Sequence, residues 1–153
     1  MVYVKFLKEV HMIRRFKKEE ETKIMTIWTK GNFKAHNFID REYWIGKFND
    51  VKEQYLYKGD TFVYIEDEEI KGFISLIDDE CLGAIFVVED SQREGIGRRL
   101  LNYCRERNHK LTLKVYDKNV DAMLFFTAMG FKRTKISIDD ETGEQEIEME
   151  WEG

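Results

Sequence analysis

Hydrophobic residues along this chain follow two rhythms, and the switches between them mark its elements. In "LTLKVY" (111–116) they alternate, with Leu111, Leu113 and Val115 on one side and Thr112, Lys114 and Tyr116 on the other, the period of a strand with one buried face. "KRTKISI" (132–138) and "EIEMEW" (146–151) alternate likewise around "DDETGE", which predicts a closing hairpin. An earlier hairpin joins "TFVYIE" (61–66) to "IKGFISLI" (70–77) through the acidic "DEE". "DDE" then turns into "CLGAIFVV" (81–88), an apolar run long enough for a central strand, and "VHMIRRF" (10–16) predicts a first strand ahead of all of these.

In four places the rhythm lengthens to the helical period. Ile24, Ile27 and Trp28 recur on one face after an acidic first turn, which the helix dipole favours. Asp40 can cap a second helix carrying Tyr43, Trp44, Ile45, Phe48 and Val51. A third, over about 95–108, gathers Ile96, Leu100, Leu101 and Cys104, and "NVDAMLFFTAM" (119–129) predicts a fourth that Gly130 closes. The order β-α-α-β-β-β-α-β-α-β-β, with no repeat or linker, predicts one α+β domain with a mixed sheet over 12–153, after a short N-terminal extension at 1–11.

Composition narrows the function classes. A formal net charge of −5 argues against a general nucleic-acid binder, which needs a basic surface. No apolar run approaches the ~18 residues of a membrane span, and "MVYVKFLKEVH" is too short and too charged for a signal peptide, so neither nucleic acid nor membrane is expected as a partner. Cys81 and Cys104 read as small buried hydrophobes in a reducing compartment, which makes the cytoplasm the expected location. His11, His36 and His109 lack ligand spacing, so no metal is expected.

The candidate chemistry begins at "QREGIG" (92–97), where an apolar strand ends and a helix opens. Unpaired N–H groups and the positive end of the helix dipole make such a junction an anion site, and Gly95 and Gly97 let a phosphate approach the backbone. Arg93, Arg98 and Arg99 add positive charge. The third glycine and βαβ setting of a dinucleotide fingerprint are missing, as is the Gly-Lys-Ser/Thr of a P-loop.

"IFVVEDSQREGIGRRLL" (85–101) resembles the Q/R-x-x-G-x-G/A acyl-CoA signature of the GNAT N-acetyltransferases, and "VYDKNVDAMLFFTAMGFK" (115–132) resembles their next signature, an asparagine opening a helix that ends in x-G-F. With "HNFIDREYW" (36–44), the chain is most similar to a small bacterial branch of that family, over about Met12 to Trp151. The resemblance implies a mostly antiparallel central sheet flanked by helices on both faces. It implies acetyl-CoA as cosubstrate and an amine acceptor, a small molecule or a protein lysine or N-terminus. Backbone amides of Arg93, Glu94, Gly95, Ile96, Gly97 and Arg98 would hold the pyrophosphate, the main chain of Ile85, Phe86 and Val87 would pair with the pantetheine arm, and Asn119 would touch the cofactor. Transfer would be direct, with a backbone amide near Val87 stabilising the oxyanion.

Two positions depart from that pattern. Phe126 stands where relatives commonly carry the tyrosine that meets the CoA sulfur, and Lys114 where many carry a glutamate base. A general acid contributes roughly 10²–10⁴-fold, but releasing a thiolate of pKa ~8.5 costs only about 2 kcal/mol at neutral pH. Deprotonating a lysine-like amine costs roughly 4.6 kcal/mol, so a proton acceptor matters more. Tyr116, on the strand face of Lys114, and His36, with its near-neutral pKa, are the catalytic candidates. Phe33, His36, Phe38 and Tyr43 could line an acceptor pocket, or the aromatic residues could dock the first helices on the sheet, the reading favoured for Trp44. The alternative to an active enzyme is a catalytically weak CoA-binding module. The chain is expected to be a monomer or a homodimer, with the terminal hairpin as a candidate edge.

Overall fold

The computed structural model describes residues 11–153, so nearly all of the expected N-terminal extension lies outside the described residues; His11 already opens the first strand. The elements follow the anticipated order: β1 (His11–Arg15), α1 (Glu21–Ala35), α2 (Arg41–Lys52), β2 (Asp60–Glu66), β3 (Glu69–Leu76), β4 (Leu82–Val87), α3 (Ile96–Arg105), β5 (Lys110–Tyr116), α4 (Val120–Ala128), β6 (Lys132–Ile138) and β7 (Gln145–Glu152).

The strands pair antiparallel in two groups, β1-β2-β3-β4 and β5-β7-β6. Among the described residues a single parallel bridge, Cys81 to Thr112, joins the groups, with Thr112 N–H donating to Glu80 O at 2.8 Å. The mixed sheet is therefore present, but its parallel part is one bridge wide, and β4 and β5 part beyond it.

Turn chemistry fixes the hairpins. Asp67 and Glu68 both take positive φ (52° and 65°), the two left-handed positions of a type I′ turn, whose twist matches the flanking strands. Gly130, at φ +92°, ends α4 in the left-handed conformation that suits glycine after a helix.

Each face of the sheet has its own core. Under α3 and α4 lie Ile96, Leu100, Leu101, Cys104, Leu111, Leu113, Val115, Ile147 and Met149, so the predicted stripe of α3 meets the predicted apolar face of β5. Fully burying a Leu or Ile side chain stabilises by about 1.5–3 kcal/mol, which makes this stripe the chief anchor of α3. On the other face, α1, α2 and the turn after α2 pack Ile24, Met25, Trp28, Trp44 and Leu56 against Val63, Phe73 and Ala84. Helix α1 approaches β4 closely at Gly31, where a Cβ would come within 2.4 Å of Phe86 Cδ1.

Two boundaries differ from expectation. Helix α3 stops at Arg105 because Arg107 N–H and Asn108 Nδ2 both donate to Cys104 O, at 3.1 and 2.7 Å, closing the helix early. Helix α2 runs on into a π-helical turn, Glu53–Lys58, that ends at Gly59. A Cβ at Gly59 would sit 2.2 Å from Leu76 O, so only glycine admits this packing. Among the described residues no helix is long and apolar enough to cross a membrane.

Candidate active site

Where β4 and β5 part, their facing edges lose each other as hydrogen-bond partners. Val88 N–H donates to Lys71 O at 2.8 Å, which sets the phase of the β3–β4 ladder: Ala84, Phe86 and Val88 turn main-chain groups to β3, and Ile85 and Val87 turn theirs to the cleft. On the opposite wall, Asp117 N–H donates to Gln145 O at 2.9 Å, so Thr112, Lys114 and Tyr116 turn their main-chain groups away from β7 and toward β4. The bridge uses Thr112 N–H, and Tyr116 O accepts from Asn119 N–H at 2.9 Å. The main chain of Ile85 and Lys114 faces the opening. An extended ligand laid in it could add to β4 as a strand would.

A cavity of about 580 Å³ fills the parting, lined among others by Ile85, Phe86, Lys114, Tyr116, Asn119 and Phe126. At the far end of β4 the chain turns sharply into α3. Arg93 (φ +68°) and Gly95 (φ +83°) are both left-handed, and Gly95 has nothing within 4 Å of where a Cβ would stand. The first helical bond is Arg99 N–H to Gly95 O, 3.1 Å. The amides of Ile96, Gly97 and Arg98 therefore precede any helical acceptor and point out of the helix start. That donor set, with Arg93 and Arg98 exposed beside it, fits a phosphate group. Arg99 instead turns away and donates to Tyr64 Oη at 2.8 Å. Gln92 Nε2 donates to Val87 O at 3.1 Å and so ties the loop to the strand end.

The third wall is aromatic and closes over the cavity from α1 and α2. His36, the residue after α1, is held at both ring nitrogens: Nδ1 lies 2.8 Å from Asn32 Oδ1, and Nε2 lies 3.0 Å from Asn119 Nδ2. The amide orientations follow from their other bonds. Asn32 Nδ2 donates to Trp28 O (3.0 Å), and Asn119 Oδ1 accepts from Ala122 N–H (3.2 Å) as the N-cap of α4. His36 is accordingly neutral, with its proton on Nδ1 and the Nε2 lone pair engaged. Burial pushes its pKa down to about 4. Trp44 stacks on His36 at 5.4 Å between ring centroids and is 8% exposed; its buried Nε1 N–H has no hydrogen-bond partner among the described residues.

Tyr116 packs edge-on against His36 and donates its hydroxyl to Asp139 Oδ2 at 2.7 Å. Burial and that carboxylate raise its pKa, so it stays protonated. Tyr43 lines the cavity beside it and donates to Glu141 Oε2 at 3.1 Å. Glu146 of β7 lines the same wall, directly across the ladder from Tyr116.

The structure thus brings Ile85, Phe86, His36, Tyr43, Tyr116, Asn119 and Phe126 around one cavity. It sets Phe33 aside, under the guanidinium of Arg41 at 4.8 Å, and Phe38 behind the wall, edge-on to His36 and Tyr116. Phe126 is 6% exposed and packs against Phe125 and Phe131, so its ring serves the core and the cavity at once. Trp44 likewise belongs to the core as well as to the lining. Glu146 escaped the sequence reading, although "QEIEMEW" carries its signal: the alternation that buries Ile147 and Met149 puts Glu146 on the face of Tyr116.

The sequence model of the acetyltransferase (GNAT) domain matches residues 30–152. The chain is 34% identical over 131 residues to the peptidyl-lysine N-acetyltransferase YiaC of Escherichia coli, covering 86% of this chain and 90% of that one. It is 28% identical over 131 residues to the peptidyl-lysine N-acetyltransferase YjaB of Salmonella typhimurium, with 86% and 90% covered. The solution structure of apo YjaB from Escherichia coli superposes with a TM-score of 0.81 at 26% identity, over 93% of this chain and 97% of that one. A splayed sheet, a glycine turn with free amides at the strand end and this match over most of the length lead to one conclusion: the chain belongs to the GNAT family of acetyltransferases.

Proposed function

We propose that this acetyltransferase takes acetyl groups from acetyl-CoA and delivers them to lysine side chains of peptides or proteins. The observation that carries the reading is the parting of β4 from β5, which leaves the main-chain groups of Ile85 turned into a cavity lined also by Phe86, Asn119 and Phe126, with the glycine loop following at the far end of β4. Bound there, acetyl-CoA would supply the activated thioester. The amides of Ile96, Gly97 and Arg98, with the main chain of Arg93, Glu94 and Gly95, would hold its phosphates. Ile85 would hold the pantetheine arm by main-chain hydrogen bonds, Phe86 anchoring the strand to α1 with its ring, while Val87 O is held by Gln92 and leaves its amide free. An amide at Val87 would stabilise the oxyanion. Asn119 and Phe126 would flank the arm from α4.

Lysine is the preferred acceptor because the relatives YiaC and YjaB are named peptidyl-lysine N-acetyltransferases. The acidic side chains of Asp139, Glu141 and Glu146 at the cavity's end also suit a cation. Tyr43 and Tyr116 form that end of the wall. His36, with both nitrogens engaged, acts as a strut that fixes Asn119 and the start of α4.

The test is acetyl-CoA with a mixed panel of lysine-containing and N-terminally free peptides, read by mass spectrometry. Acetyl-lysine is the expected product. Acetylation of α-amines only would overturn the choice of acceptor. Tight CoA binding with no transfer to any amine would return the chain to a binding module, for which Phe126 and Lys114 are the natural reason.

A further inference from the structure

Lys114 occupies the place where a base would be looked for, and both nitrogens of His36 are engaged, yet an acceptor lysine must lose a proton before it can attack. We propose that Glu146 is the group that takes this proton, acting from β7 at the acceptor end of the cavity. The inference rests on the reading of the chain as a lysine acetyltransferase.

Register puts Glu146 there. Because Asp117 N–H bonds Gln145 O, the pair Tyr116–Glu146 is the non-hydrogen-bonded kind, whose side chains stand closest on one face of the sheet. That face is the one turned to the cavity, and Glu146 lines it half-buried.

The neighbouring carboxylates are already committed. Asp139 accepts from Tyr116 and from Thr142 Oγ1 (3.0 Å); Glu141 is held by Lys47 and Tyr43; Glu144 pairs with Lys118 at 3.0 Å. Glu146 has no hydrogen-bond or ion-pair partner among the described residues. Burial, then the charge of Asp139, raises its pKa, with Lys114, diagonal to it on β5, opposing. A half-buried carboxylate facing Asp139 gains most from a proton or a cation.

The same cavity holds an independent sign of a ligand. Trp44 lines it, nine-tenths buried, and its Nε1 N–H is unpaired among the described residues. A buried donor without an acceptor is costly, and a peptide carbonyl next to the acceptor lysine would satisfy it.

The protons balance as follows. The acceptor ammonium gives one proton to the Glu146 carboxylate, and the freed amine attacks the thioester carbonyl, forming the C–N bond. The C–S bond breaks, and the sulfur leaves with its electron pair as thiolate. The second nitrogen proton ends on that thiolate, and Glu146 returns its proton to solvent.

The test compares wild type with Glu146→Gln, which keeps size and removes the base, and with Glu148→Gln, two residues on and outside the cavity lining. Acetylation of a lysine peptide should fall roughly 10²–10⁴-fold in Glu146→Gln and stay near wild type in Glu148→Gln, while calorimetric acetyl-CoA binding is unchanged in both. The acidic limb of the kcat/KM profile should disappear with Glu146. A ¹³C titration of the wild-type carboxyls, independent of activity, should place Glu146 above ordinary glutamates. Because Asp139, Glu141, Lys114, Lys47, Tyr43 and Tyr116 share this wall, the same titration is repeated in Glu146→Gln to assign the signal. Near-wild-type turnover and an unaltered limb in Glu146→Gln would overturn the role of Glu146 alone. Failure of wild type to transfer to lysine despite binding acetyl-CoA would overturn the acceptor reading and this inference together.

Discussion

Replacing His36 with glutamine tests the strut between α1 and α4 without cutting it. Glutamine offers an NH₂ donor group and a carbonyl acceptor, so the links to Asn32 and Asn119 can persist, but it cannot titrate. The imidazole is depressed by burial from 6.5 to about 4, a difference that corresponds to roughly 3 kcal/mol between the two protonation states. The unfolded chain binds the proton first as pH falls. Stability from the neutral ring is therefore complete above about pH 6.5, and is lost progressively down to about pH 4. Urea unfolding of both proteins at several pH values isolates the effect, because the shared carboxylate titrations cancel in the difference. Wild type should be the more stable at neutral pH, and its lead should shrink by roughly 3 kcal/mol as pH falls to about 4. Nitrogen NMR should also find Nδ1 protonated and Nε2 bare. Parallel stability profiles, or a His36 that titrates near its free value, would refute the neutral strut.

Other predictions concern packing and the departing thiol. Gly59→Ala should destabilise far more than Gly31→Ala, since the new methyl meets the fixed carbonyl of Leu76 at 2.2 Å in one case and a movable Phe86 ring at 2.4 Å in the other. Overpacking at Gly31 should cost about 1–3 kcal/mol, and Gly31→Ala combined with Phe86→Leu should recover most of it; equal melting temperatures for the two single variants would contradict this. Thr61 Oγ1 and Ser75 Oγ are buried 2.6 Å apart, so Thr61→Val should cost about 1–3 kcal/mol by stranding the serine, read by denaturant midpoint. Phe126→Tyr should raise kcat by no more than about 30-fold, the value of protonating a thiolate of pKa ~8.5 at neutral pH; a larger gain would mean the leaving group limits the rate far more than its acidity explains.

What the sequence exposed was local. Alternation in 111–116 and 146–151 sufficed to place Leu111, Leu113, Val115, Ile147 and Met149 in one core, because period-two patterning is a property of single strands. Gly130 was readable because the left-handed turn after a helix favours glycine, whereas Gly95, read as room for a phosphate, proves to be left-handed as well. The cleft was not readable in this way. Its existence depends on β5 meeting β4 at one bridge and then leaving it, a register between residues 81 and 112 that no local pattern encodes. His36 and Asn119 lie 83 residues apart, so a histidine that looked like a free base is an engaged strut. Gly31 and Gly59 carry no turn signal; each is required by a distant neighbour, Phe86 or Leu76. Glu146 was visible as an alternating polar residue, but its side of the sheet acquires meaning only through Tyr116 across the ladder.

The most direct test of the proposed acetyl-CoA cleft is calorimetric titration of acetyl-CoA into wild type and Gly97→Trp, with melting curves as the fold control. A Cβ at Gly97 has ordinary room, 3.6 Å from Phe125 Cζ and 4.0 Å from Val87 Cγ2, while an indole there would crowd the helix start between Phe125 and Val87. Micromolar binding by wild type, lost in a variant that still melts cooperatively near the wild-type temperature, is the expected result. Absent binding by folded wild type, or equal binding by both proteins, would contradict the placing of the cofactor between the glycine loop and β4.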